Sequence, residues 1–143
     1  RLPVVIPSRI DEKFLAWATA TRLKPIVVLH INHANEIDSD VIESIKRLQS
    51  CGIKVLNQSV LLRGINDSAD CLAELSEKLF DCDVMPYYLH LFDPVAGASH
   101  FDIDEDRAKK IYADLQAILP GFLVPKLVRE IPNKKSKTTI APE

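Results

Sequence analysis

Paired cysteines are missing from this chain. Its three cysteines, Cys51, Cys71 and Cys82, are odd in number and widely spaced. They form no CxxC pair and no tight cluster of the kind that holds zinc or an iron–sulfur centre. Unpaired thiols of this sort are expected of a reducing compartment, the cytosol. A second absence is any run of the ~18–20 apolar residues that a bilayer-spanning helix needs. Nor is there a signal-peptide pattern. No GxGxxG turn and no P-loop is present, which removes the common nucleotide-binding readings of an open α/β sheet. Charge of one sign is lacking too. The formal net charge is −2, so nothing marks a nucleic-acid or acidic-membrane partner.

What is present is a repeating plan. At 143 residues the chain fits one domain with a core of its own. Val4 to Ile6 reads as a short strand bounded by prolines. A helix from Asp11 to Thr21 follows, with Phe14, Leu15, Trp17 and Ala18 on its apolar side. Ile26 to Asn32 is β-branched and almost wholly apolar, the pattern of a parallel strand covered on both faces. Asp38 or Ser39 caps an amphipathic helix carrying Val41, Ile42, Ile45 and Leu48, and Cys51-Gly52 ends it. Ile53 to Leu62 is the next strand. Ser68 or Asp70 opens a helix with Leu72, Leu75, Leu79 and Phe80 on one side. Pro86 to Phe92 is an aromatic strand that breaks at Asp93-Pro94 into a small-residue loop containing Gly97. Asp104 caps a helix through Leu119, and Phe122 to Val128 is the last strand.

Strand and helix thus alternate, which predicts parallel strands joined by right-handed crossovers. An open doubly wound sheet and part of a (βα) barrel both fit. About five strands make only part of a barrel, and its uncovered edges and inner face need another segment or chain, a second copy among them. The chain also opens at Arg1 directly in an apolar run with no initiator Met. Both features are expected of a piece of something longer.

Polar residues gather after strand C-termini, where both architectures build sites. His30 and His33 form H-x-x-H at one such end. Residues three apart on a strand face opposite ways, so both reach one metal only if the chain turns between them. The other readings of His30 are a ligand contact or a local hydrogen bond. Asn57 and Gln58 are amides in an apolar strand. Buried amides need partners, so either one faces an interior or ligand, or both are satisfied core groups. Arg63 reads as a loop-fixing or carboxylate-pairing residue. Asp93 suits a substrate ammonium, or an Asx turn before Pro94. Glu130 ends the last strand and offers a second carboxylate. Lys134, Lys135 and Lys137 read by composition as a solvated basic tail. A lysine near a barrel mouth can also bond an aldehyde cofactor, but periodicity does not reveal which.

Three segments carry a resemblance: His30-Ile31-Asn32-His33-Ala34-Asn35-Glu36, Asn57 through Asp67, and Pro86-Tyr87-Tyr88 through Asp93 to His100-Phe101. In that order they resemble the C-terminal part of the lysine 2,3-aminomutase family. The nearer likeness is to the branch that makes (R)-β-lysine for modification of translation elongation factor P. The resemblance implies a partial (βα)6 radical S-adenosylmethionine barrel. Residues 1–131 would form its C-terminal βα units, and residues 132–143 a tail with the cofactor lysine. It implies three cofactors: pyridoxal phosphate, S-adenosylmethionine and a [4Fe–4S] cluster. It implies radical migration of the amino group of L-lysine from C2 to C3. By register, Lys137 matches the lysine that carries pyridoxal phosphate. Asp93 matches a carboxylate that holds the side-chain ammonium of substrate lysine, and Glu130 stands where the lysine-specific enzymes have an aspartate for that task. His30 and Gln58 match positions that line the S-adenosylmethionine site.

The departures from the family pattern are definite. The cluster motif CxxxCxxC is absent, and the glycine-rich approach to the cofactor lysine is replaced by Pro132-Asn133-Lys134-Lys135-Ser136. The chain alone is therefore expected to be inactive. The readings from other classes are a non-catalytic remnant or assembly module, and an unrelated barrel hydrolase using His30 and Asp93 with a metal.

Overall fold

A computed structural model of the chain describes residues 1–93 and 99–140. The loop residues 94–98, Gly97 among them, lie outside the described residues, as does the Asx turn expected before Pro94. Five strands form one sheet: β1 (Ile26–His30), β2 (Lys54–Leu61), β3 (Met85–Leu91), β4 (Lys126–Arg129) and β5 (Thr138–Thr139). The spatial order is β1-β2-β3-β4-β5. The first four strands are parallel, and β5 returns antiparallel to β4. Helices α3 (Ser39–Ser50), α4 (Ala69–Asp81) and α5 (Glu105–Ile118) connect the parallel strands in turn.

Each connecting helix starts at a side-chain cap that the sequence predicts. Asp38, Ser68 and Asp104 accept the backbone N–H of Val41, Cys71 and Arg107. A cap of this kind satisfies one of the four N–H groups that a helix start leaves without partners. The apolar sides of these helices then bury strand residues of a single parity. Leu29 and Val55 pack with Ile45, Leu48 and Leu79. Leu61, Leu89, Leu91 and Leu127 pack with Leu72, Ile111 and Leu115.

The opposite parity is left open. Ile26 and Val28 are 55% and 39% exposed, and His30, Leu56, Gln58, Val60, Tyr88 and His90 are half-buried. This corrects the expectation that β1 is covered on both faces. Strand order without reversal, with helices on one face, also departs from the doubly wound pattern.

Four further expectations are corrected. The apolar segment at the start is not a strand. Leu2–Val5 forms a short helix, α1, and Pro7–Arg9 a 3₁₀ turn, because proline near a helix start lacks only an N–H that needs no partner there. In α2 (Glu12–Thr19), Leu15 and Ala18 are buried but Trp17 is 74% exposed. Phe80 also faces out, packed edge-on against Phe122 with ring centroids 5.4 Å apart. The last long strand is shorter than its apolar run, since Gly121–Leu123 forms a 3₁₀ turn before β4.

Candidate functional site

The sheet register brings the polar residues of the open face into rows. His30 is level with Gln58, Gln58 with Tyr88, and Tyr88 with Lys126. Neighbouring strands lie about 4.8 Å apart, so each row is a line of adjacent side chains. The next row runs Val60, His90, Val128 and Thr139. A register shift opposite Asn57/Gln58 places the two tyrosines side by side. Their ring centroids are 3.9 Å apart, and the Tyr87 hydroxyl donates to that of Tyr88 at 3.1 Å. His90 meets Tyr88 edge-on at 5.7 Å.

Strand β5 brings Lys137 to this face. Its Nζ stands 5.5 Å from the centroid of the Tyr88 ring and donates to Glu130 Oε1. That hydrogen bond, with the ammonium charge behind it, holds the Glu130 carboxyl below its ordinary pKa. Lys134 and Lys135, by contrast, are exposed. Glu130 also lines a cleft of about 870 Å³ shared with Asp93, Asp104, Glu105 and Arg129. Arg129 is tied within it to Glu105 at 2.7 Å. The two carboxylates singled out for an ammonium therefore share one cleft beside Lys137.

His30 and His33 do not converge. His33 Nδ1 accepts the N–H of Asn35, and Glu36 Oε1 accepts those of Asn32 and His33, a reciprocal cap of the turn Ala34–Glu36. No group of three metal-ligating side chains lies together among the described residues. The cysteines are dispersed as well. Cys51 is exposed at the end of α3, while Cys71 and Cys82 are half-buried at the two ends of α4, where burial raises their thiol pKa values. The adjacent amides divide their duties. Asn57 is buried among backbone partners and Gln58 turns to the open face. Arg63 contributes through its backbone, its N–H donating to the carbonyl of Phe101 at 2.9 Å.

One residue of the site was not foreseen. His90 Nε2 is buried with no hydrogen-bond partner. A polar residue at alternate parity to Leu89 and Leu91, two places beyond Tyr88, was the available signal. Burial lowers its pKa first, the Lys137 charge second, with Glu130 opposing. His30 is lowered by burial first, then by nearby positive charge at the N-terminus and Arg1.

Both imidazoles are thus held neutral where an unfolded chain would protonate them, near an ordinary pKa of about 6.5. Unfolding then takes up protons as pH falls, so their contribution to stability is full above that value and is lost below it. The urea midpoint is expected to drop between pH 7.5 and 5.5. The double variant His30→Gln/His90→Gln should show a smaller drop.

No protein-family model matches the chain. It is similar to the L-lysine 2,3-aminomutase of Haemophilus influenzae, 50% identical over 141 residues, which is 99% of this chain and 42% of that protein. The Escherichia coli L-lysine 2,3-aminomutase is 49% identical over 140 residues, 98% of this chain and 41% of that protein. The Clostridium subterminale L-lysine 2,3-aminomutase is 34% identical over 143 residues, 99% and 34% of the two lengths. The chain thus spans about two-fifths of the length of the Haemophilus influenzae and Escherichia coli relatives. Among solved structures, a radical SAM methyltransferase from Sphaerobacter thermophilus has a similar fold, with TM-score 0.54 and 19% identity over 82% of this chain and 37% of that one.

Proposed function

We propose that this chain, which belongs to the lysine 2,3-aminomutase family, supplies one wall of a site that isomerises L-lysine to β-lysine as part of a longer chain. In this reading the four parallel strands are the C-terminal part of a partial (βα)6 barrel, with the open face as its interior. The observation that carries the proposal is Lys137, held by Glu130 over the Tyr88 ring on that open face.

The residues present fit a planar aldehyde cofactor. An amine projects over an aromatic ring, with an unpartnered imidazole nitrogen on the neighbouring row of the same strand. Lys137 is the residue to hold pyridoxal phosphate, which when bound supplies the electron-accepting ring for amino migration. Asp93 and Glu130, on one cleft, are the carboxylates to receive the side-chain ammonium of substrate lysine. His30 and Gln58, adjacent on one row, are the polar groups to receive S-adenosylmethionine. The dispersed cysteines do not fit a [4Fe–4S] cluster.

The test is covalent trapping. The chain is incubated with pyridoxal phosphate, reduced with cyanoborohydride and mapped by peptide mass spectrometry. The cofactor mass is expected on Lys137 well ahead of Lys134 and Lys135. Equal labelling of the three lysines would count against the assignment.

A further inference from the structure

His90 enters the reading above only as an unpartnered nitrogen near Lys137, yet its position is constrained from several sides. Antiparallel pairing of Val128 with Thr139 and of Arg129 with Thr138 places Lys137 level with Glu130, past the end of β4. The Lys137 amine nevertheless lies over Tyr88, which is level with Lys126 near the start of β4. The Lys137 amine and the His90 ring both lie against Tyr88, whose ring centroid is 5.5 Å from the amine and 5.7 Å from the centroid of the imidazole. This brings the lysine amine and the unpartnered Nε2 into one small region. His90 is faced by Lys137 from just before β5, Glu130 from just after β4, His30 from β1, and Tyr88 and Asp93 from its own strand and the residues after it. Val60, Val128 and Thr139 complete its row and carry no charge.

Glu130 carries one negative charge, so it neutralises only one of two ammonium groups. In the structure it accepts Lys137. In the proposed reaction it receives the substrate ammonium, so the lysine needs a second partner. We propose that His90 is a positioning residue for Lys137, its Nε2 accepting a hydrogen bond from the Lys137 amine when that amine leaves Glu130. A buried nitrogen without a partner is costly, and a nearby donor that moves onto it recovers that cost. The arrangement needs the tautomer with the proton on Nδ1, which leaves the Nε2 lone pair free. Acid removes the acceptor and adds a repelling charge beside the lysine. This inference rests on the reading of Lys137 as the cofactor lysine.

The experiment is the rate of cyanoborohydride trapping of pyridoxal phosphate on Lys137 relative to Lys134 in the same molecule, followed from pH 5 to 9. Lys134 is exposed and serves as an internal reference. The ratio in the parent chain is expected to fall as pH drops through the histidine range. His90→Leu should lower the ratio at pH 8 about fivefold, the effect of one ordinary hydrogen bond that orients the free amine. His90→Gln, which keeps an acceptor, should restore most of the ratio and remove its fall in acid. Thermal unfolding of each variant establishes that it is folded. A ratio unchanged in folded His90→Leu, or a fall in acid that persists in His90→Gln, overturns the role of His90 alone. A parent chain that labels Lys137 no faster than Lys134 overturns the cofactor assignment and this inference with it.

Discussion

Lys137→Ala is expected to abolish β-lysine formation when the chain is joined in frame to the part of the Escherichia coli relative that it does not match. Lys134→Ala and Lys135→Ala in the same protein should leave activity near the parent level. The difference follows from placement. Lys134 and Lys135 extend into solvent, whereas Lys137 is half-buried, bonded to Glu130 and set over Tyr88. Removing a covalent attachment point removes a whole pathway rather than one contact, so a loss of several orders of magnitude is expected. Stability should hardly change, because a solvent-exposed ion pair contributes little to folding. Chromatography of the amino-acid product and a thermal melt, taken together, separate a lost function from a lost fold.

The second large effect concerns stability. Asn57→Ala is expected to destabilise the fold by about 2–3 kcal/mol, measured by urea unfolding. Asn57 is 2% exposed, and its side chain reads the backbone of the segment leaving β1. Its Oδ1 accepts the N–H of Ile31 at 2.9 Å, and its Nδ2 donates to the Ile31 carbonyl at 3.0 Å. Alanine leaves that N–H buried without a partner, while the carbonyl retains the Ser59 hydroxyl at 2.8 Å. Gln58→Ala is the contrasting control. Its side chain faces the open side of the sheet, so the cost should stay within about 0.5 kcal/mol. Equal costs at the two positions would mean that the amides are not divided between core and site.

Much of this division was legible in the sequence, though unevenly. Helices α3, α4 and α5 are written in local terms, a capping oxygen followed by apolar residues three and four apart, and they form within a residue or two of the expected ends. The strand expected at Val4 to Ile6 does not form, because a short apolar run fits a strand and a helical turn equally and only Pro3 favours the turn. The both-sided burial expected of β1 failed for a different reason. Val27, Val28 and Leu29 are alike in chemistry, so nothing local tells which parity meets a helix. Strand β5 is two residues long and exists only through its pairing with β4, which no local pattern records.

The site shows the same limits. Asp93 and Glu130 are conspicuous as carboxylates at strand ends. That one cleft joins them, with Lys137 beside it, is a fact of tertiary structure. Lys137 is indistinguishable by composition from Lys134 and Lys135, and only resemblance separated it from them. A single histidine in an aromatic strand is unremarkable until the placement of Lys137 against the same Tyr88 ring is known.

The most direct measurement is production of β-lysine by the joined protein without substitution. The chain is fused to the unmatched part of the Escherichia coli L-lysine 2,3-aminomutase, reconstituted, and supplied with L-lysine. The open face, with Lys137 over Tyr88 and Glu130 beside it, predicts β-lysine as the product. A folded fusion that traps pyridoxal phosphate on Lys137 yet forms no β-lysine would contradict it.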